Sequence, residues 1–270
     1  MSLDTWKRAT MARVTAALRG ERPITVAGVA VAQADEIQHF KIVGISHDSK
    51  LAATREILTA ALARGDQALI VDPHGILADD HYDPSRGDAI LSGGHQDATR
   101  WNIFRDLQGR ETTDALARGL IPNTQNPYLS SSVAPARQLF SDVAQRQSEL
   151  VHEADRGRHL FRLLELTDQR LKRLVQGTRS EALFSPDNAH TLSRVRLTLV
   201  PALSTLERVE DRQGFLSVRD WMADDSRSGV KQGRALFLGA WHVHGDHNAL
   251  MSVWMDVAIS ETLRGPSRST

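Results

Sequence analysis

At 270 residues, 41% of them hydrophobic, the chain is long enough to bury one large core or two smaller ones. Its 33 lysines and arginines balance 33 aspartates and glutamates, which excludes a global field toward DNA or anionic lipid, so any nucleic-acid contact must come from a local basic face. Cysteine is absent, which excludes disulfides, thiolate metal sites and cysteine nucleophiles and fits a reducing, cytoplasmic compartment. The longest apolar runs, such as Ala235 to Ala240, fall well short of the roughly 18 residues that suggest a membrane-spanning helix.

Residues 1–21 set Lys7, Arg8, Arg13 and Arg19 among Trp6, Met11, Val14 and Leu18, the pattern of a basic amphipathic helix. Such a helix packs on a surface or partner, or touches a membrane surface, which would place the chain peripherally at an inner membrane. From Ile24 to Val31 the residues form a β-like run, Gln33 to Gln38 is polar, and His39 to Val43 reads as a strand ending at Gly44. Leu51, Thr54, Ile57, Leu58, Ala61 and Leu62 then recur at helical spacing over Lys50 to Arg64, with Gly65 as the stop. Ala68 to Val71 is a second short strand running into Asp72. Strand, loop, helix, strand is the βαβ order of a parallel sheet covered on both faces.

Asn123 to Ser132 is turn-rich and polar and marks a boundary. Beyond it, strand signal disappears as far as about Val209: Leu160, Leu163, Leu164, Leu171, Leu174 and Val175 keep one apolar stripe, and Leu192, Val195, Leu199, Leu203 and Leu206 keep another. The α/β texture returns with a short helix at Phe215 to Met222, a β-run at Arg234 to Ala240 and an apolar helix at Ala249 to Leu263. The expected organisation is an N-terminal helix (1–21), an α/β domain in two parts (22–125 and 213–270) and an all-α insert between them (126–212).

The segment Gly44-Ile45-Ser46-His47-Asp48-Ser49-Lys50-Leu51 occupies the place of a phosphate-binding loop, G-x-x-x-x-G-K-[ST], whose backbone N–H groups wrap an anion. Gly44 and Lys50 hold their places. Ser49, however, stands where the inner glycine allows close approach, and Leu51 stands where a hydroxyl would bind Mg²⁺. Asp48 adds a negative charge beside the phosphate position. Gly44, Ser46, Ser49 and Lys50 are the candidate phosphate contacts, with Asp72 at the nucleotide edge of such a sheet or capping the turn that follows it.

Several segments resemble, in order, TraD-type coupling proteins of type IV secretion. They are Ile24 to Val26 with Ala34 to Phe40, then Arg64-Gly65-Asp66 through Val71-Asp72-Pro73-His74-Gly75, Tyr82 to Arg86 with Asp88 to Leu91, Trp101-Asn102 with Phe104, Leu216 to Met222, Leu236 to Leu238, and Leu250 to Ile259. The resemblance implies a RecA-like P-loop NTPase-type α/β fold, a parallel sheet interrupted by an all-α domain. In that family the domain assembles as a hexameric, membrane-anchored motor of conjugation that receives the relaxosome and moves single-stranded DNA. It also implies a membrane hairpin before the region matched here and a Walker B strand with an Asp-Glu pair after it. With the loop degenerate and that pair beyond Thr270, hydrolysis is expected to be absent or vestigial. The expected function is a degenerate coupling-protein module of a conjugative or integrative element. It would act on single-stranded DNA, relaxosome proteins or secretion components, as a homo-oligomer where the family pattern holds, with ATP and Mg²⁺ as a disfavoured cofactor. An incomplete gene product with no role of its own is a third reading.

Arg162, Arg170, Lys172 and Arg173 are the candidate DNA contacts, although Glu153, Asp155, Glu165 and Asp168 dilute that face. A competing constellation, His242, His244, Asp246 and His247, spells H-x-H-x-D-H after a β-run, the pattern of zinc-dependent hydrolases. No histidine follows His247 to complete such a site. Zinc is therefore not expected, and the hydrolase stands as the alternative.

Overall fold

The computed structural model describes residues 23–107, 109–150, 166–210, 215–224, 233–239 and 248–264. Thr25–Val26 (β1) and Val29–Ala30 (β2) form a small antiparallel hairpin, Thr25 opposite Ala30 and Val26 opposite Val29. Ala27 and Gly28 turn it with φ of 50° and 74°. Two positive φ values in a two-residue loop match the right-handed twist of the flanking strands, and Gly28 adopts one without steric cost. Glu56 holds the hairpin from below: its carboxylate accepts the Thr25 hydroxyl and, at 2.9 Å, the Gly28 N–H. The Thr25 hydrogen bond, opposed by desolvation and aided by the backbone N–H groups of Gly28 and Ala27, holds that carboxyl below its ordinary value.

After a short helix, Gln33–Glu36 (α1), the chain enters His47–Arg64 (α2), which buries Ala53, Leu58 and Leu62. Ser46 caps its start and Gly65, at φ 102°, ends it. Ala68–Val71 (β3), Ile76–His81 (α3) and Ala89–Ser92 (β4) follow, a 3-10 turn at Pro84–Arg86 lying before the last. Ala235–Gly239 (β5) completes a three-stranded sheet in the order β3-β5-β4. Every residue of β4 and β5 is buried while Val71 of β3 is exposed, which is why Ala-Ile-Leu-Ser and Ala-Leu-Phe-Leu-Gly read as unbroken apolar runs rather than alternating ones. Buried Asp88 gathers the N–H groups of Asp83 (3.0 Å) and Ala235 (2.9 Å) and pairs with Arg86 at 2.7 Å.

Two compact units emerge, one of Met1–Ala89 with Ser226–Phe237, the other of Ile90–Asp225 with Leu238–Thr270. In the second, Ile103–Asp106 (α4), Arg110–Leu120 (α5), Pro127–Leu150 (α6), Asp168–Leu174 (α7), Ala189–Glu210 (α8), Val218–Ala223 (α9) and Asn248–Arg264 (α10) follow in chain order. Long α6 packs against α5 and α8, and α10 against α5 and α9. Leu192, Val195, Leu199, Leu203 and Leu206 are all buried on α8, the stripe that its 3.6-residue period lays along one face. Trp101 meets Trp254 edge to face at 5.8 Å, a favoured aromatic geometry. Among the described residues no helix is long and apolar enough to cross a membrane.

Candidate functional site

The phosphate-loop segment departs from its expected shape at both ends. His39 to Val43 forms no strand, and Val43 and Ile45 are 80% and 108% exposed. A short apolar run favours extended backbone, but a strand also needs a neighbour to take its hydrogen bonds, and none among the described residues does so. The helix, in turn, opens at His47 rather than Lys50. The Ser46 side chain accepts the Ser49 N–H at 3.5 Å, and Asp48 sits in the first turn, where a carboxylate suits the helix dipole. Residues 47–49, which an open cradle would need as loop, are thus already the first helical turn.

None of residues 44–51 has a positive φ. A Cβ on Gly44 would meet Lys50 Cγ at 3.6 Å, an ordinary contact, so no close approach requires glycine there. The residues present do not fit a magnesium–triphosphate group: Ser49 brings a side chain and an N–H already turned to Ser46, and Leu51 brings no oxygen. Lys50 remains as the single cation of the motif, its carbonyl accepting the Thr54 hydroxyl at 3.0 Å.

Asp72 is buried, and its carboxylate accepts the N–H groups of Leu77 (2.9 Å) and Ala78 (3.0 Å) at the start of α3. That geometry anchors the turn after β3. Of the basic candidates, Arg170, Lys172 and Arg173 lie exposed on α7 while Leu171 turns inward, and Arg162 lies outside the described residues. Asp168, which opens the same helix, pairs with Arg196 at 2.5 Å. His242, His244, Asp246 and His247 also lie outside the described residues. Among the described residues no group of three or more histidines and carboxylates could hold a metal ion.

Two carboxylate centres have no counterpart in the motifs. Asp106 accepts from Trp101 Nε1 (2.5 Å), the Ser217 hydroxyl (2.6 Å) and the N–H groups of Val218 and Arg219 (3.0 Å each). It thereby ties the Trp-Asn-x-Phe segment to the Arg-Asp-Trp segment. Burial pushes its carboxyl up, and the hydrogen bonds from Ser217, Trp101, Arg219 and Val218 draw it part of the way back. Asp142 ties α5, α6 and the 3-10 turn Arg179–Phe184 through Arg110, Gln138 and Ser180. Neither centre has a spacing signal, because its partners lie up to 113 residues away in sequence.

The family model for the type IV secretion-system coupling protein DNA-binding domain matches residues 23–270. Among solved structures, the bacterial conjugative coupling protein TrwBdeltaN70 superposes with a TM-score of 0.72 at 24% identity, over 98% of this chain and 59% of its own. The plasmid coupling protein TrwB in complex with a non-hydrolysable GTP analogue gives 0.70 at 25%, over 98% and 60%. The same protein with ADP and Mg²⁺ gives 0.70 at 25%, over 97% and 60%. The chain therefore spans about three fifths of these relatives. No curated protein matches it. The fold is RecA-like α/β with a parallel sheet and inserted helices. By the extent of the family match, the chain belongs to the type IV secretion-system coupling proteins, in the region of their DNA-binding domain.

Proposed function

We propose that the chain is a coupling-protein module of a conjugative or type IV secretion machine that acts on the cytoplasmic side through contacts with single-stranded DNA, relaxosome proteins or secretion components, without turning over ATP. The observation that carries the inactive loop is the early start of α2: Ser46 caps a helix whose first turn is His47-Asp48-Ser49, and Leu51 follows Lys50 without a hydroxyl. Positioning and charge stabilisation account for nearly all of phosphoryl-transfer catalysis, so a loop that neither cradles the phosphates nor holds the metal supplies little of it. The TrwB complexes with ADP and Mg²⁺ or with nucleotide analogues support nucleotide binding for that protein, and Lys50 alone offers this chain only a point-charge contact to phosphate. Exposed Arg170, Lys172 and Arg173, with Asp168 held by Arg196, support a local basic face despite the zero net charge.

Titration of the purified chain with a fluorescent ATP analogue and Mg²⁺, followed by phosphate-release kinetics, tests the reading. Binding no tighter than that of inorganic triphosphate, with no steady phosphate release, is expected. Tight Mg²⁺-dependent binding with sustained turnover defeats it.

A further inference from the structure

The geometry points to a base-stacking site for single-stranded DNA on the helical part of the chain, formed by Tyr128 and Arg194 and flanked by Arg118 and Arg137. This assignment rests on the DNA-contacting reading above and places the contact away from α7. Tyr128, in the first turn of α6, is 61% exposed, which leaves part of its ring open to a stacking partner. The Arg194 guanidinium of α8 lies over that ring, 5.8 Å from its centroid. One turn further along α8, Leu197 is exposed as well. A tyrosine bearing a guanidinium beside an exposed apolar side chain offers a base both a π-face and a cation.

Phosphate contacts lie close by. Arg137 donates to the Ile121 carbonyl at 2.7 Å and to Asn123 Oδ1 at 3.1 Å. Burial first, and then the charge of Arg118, lower its pKa. Among the described residues no carboxylate pairs with Arg118, Arg137 or Arg194. The sequence has no acidic residue from Ala115 to Ser141 or from Asn188 to Leu206, and Asp114, one turn before Arg118, pairs with Arg110 at 3.6 Å. Arginines without a carboxylate partner among the described residues suit a polyanion. Asn123, which Arg137 contacts, precedes Tyr128 by five residues, so the Cα atoms of Asn123 and Tyr128 lie at most about 18 Å apart, within the reach of a strand of a few nucleotides.

The test uses the full chain and a single-stranded DNA of about 20 nucleotides, fluorescein-labelled for anisotropy and carrying 2-aminopurine for stacking, at a fixed salt concentration. Tyr128→Ala is expected to weaken binding by on the order of 5- to 100-fold and to abolish 2-aminopurine quenching, whereas Tyr128→Trp retains both. Arg194→Ala weakens binding and quenching together. Arg118→Ala leaves quenching intact and lowers the salt slope by about 1. If the unaltered chain binds and Tyr128→Ala matches it in affinity and quenching, the stacking site is wrong while the DNA reading stands. Failure of the unaltered chain to bind removes both. Loss confined to an Arg170→Ala, Lys172→Ala, Arg173→Ala triple variant moves the contact to α7 and overturns the assignment.

Discussion

Replacing Asp142 by alanine probes how the helical part of the chain is held. The carboxylate is 1% exposed. One oxygen accepts the Ser180 hydroxyl at 2.7 Å and its N–H at 3.2 Å, and the other accepts Gln138 Nε2 and Arg110 Nη1 at 2.9 Å each. Asp142→Ala leaves the two buried Ser180 donors without an acceptor, at about 1–3 kcal/mol each. Gln138 is only part-buried and can turn toward water. Arg110 is 47% exposed, so losing its ion pair costs less than about 1 kcal/mol after solvent screening. The total is about 2–7 kcal/mol, a large share of the roughly 5–15 kcal/mol that holds a typical domain. Urea unfolding followed by far-ultraviolet circular dichroism should show the midpoint falling by about 1–2 M, taking a slope near 3 kcal/mol/M. The pH dependence gives an independent reading. Burial raises the Asp142 pKa, but the hydrogen bonds, those from Ser180 and Gln138 foremost, together outweigh it and leave the group lowered. A lowered folded-state value means that the unfolded chain takes up the proton first. The contribution is therefore present above the ordinary carboxylate value and lost as pH falls through the folded one. Asp142→Asn should flatten the acid limb of the stability curve. A midpoint within about 0.3 M of the parent for Asp142→Ala, together with an unchanged acid limb for Asp142→Asn, refutes the reasoning.

Three further outcomes can be checked on the same footing. Asp106→Ala strands Trp101 Nε1, the Ser217 hydroxyl and two backbone N–H groups; thermal melting should show a loss at least as large as that for Asp142→Ala, with the near-ultraviolet tryptophan signal diminished. Gly233 lies so close to Asp66 that a Cβ would overlap the Asp66 backbone, so Gly233→Ala should cost about 1–3 kcal/mol and lower Tm by roughly 3–10 °C. An unshifted melt would mean that this approach is looser than described. Arg105→Ala removes an ion pair with Asp220 at 2.8 Å whose side chains are about half exposed, and its melt should move by less than 2 °C or so.

What the sequence made legible, and what it did not, follows from the range of each interaction. α2, β3, β5 and α8 could be read because the information is local: a 3.6-residue stripe from Leu192 to Leu206, a glycine stop at Gly65, and unbroken apolar runs of strand length. The resemblance to coupling proteins drew on the same local segments in order, and the family match over residues 23–270 bears it out. The strand at His39 to Val43 failed for the complementary reason. Its residues permit extension, but pairing is a property of two segments, and the periodicity of one cannot report the other. The same asymmetry hid Asp106, Asp142 and the Tyr128–Arg194 pair, whose members lie far apart in sequence. In the loop around Lys50, by contrast, local reading went part of the way. The lost glycine and hydroxyl were visible as residue identities, whereas the early helix start depended on Ser46 reaching the Ser49 N–H. A serine immediately before a helical run is a capping signal in its own right, and here it competes directly with the loop that phosphate would need. Ser46→Ala, which removes a cap worth about 0.5–2 kcal/mol, should therefore shift the equilibrium toward an open loop without restoring the metal oxygen that Leu51 lacks, so weak phosphate contact and magnesium-dependent turnover separate in one variant.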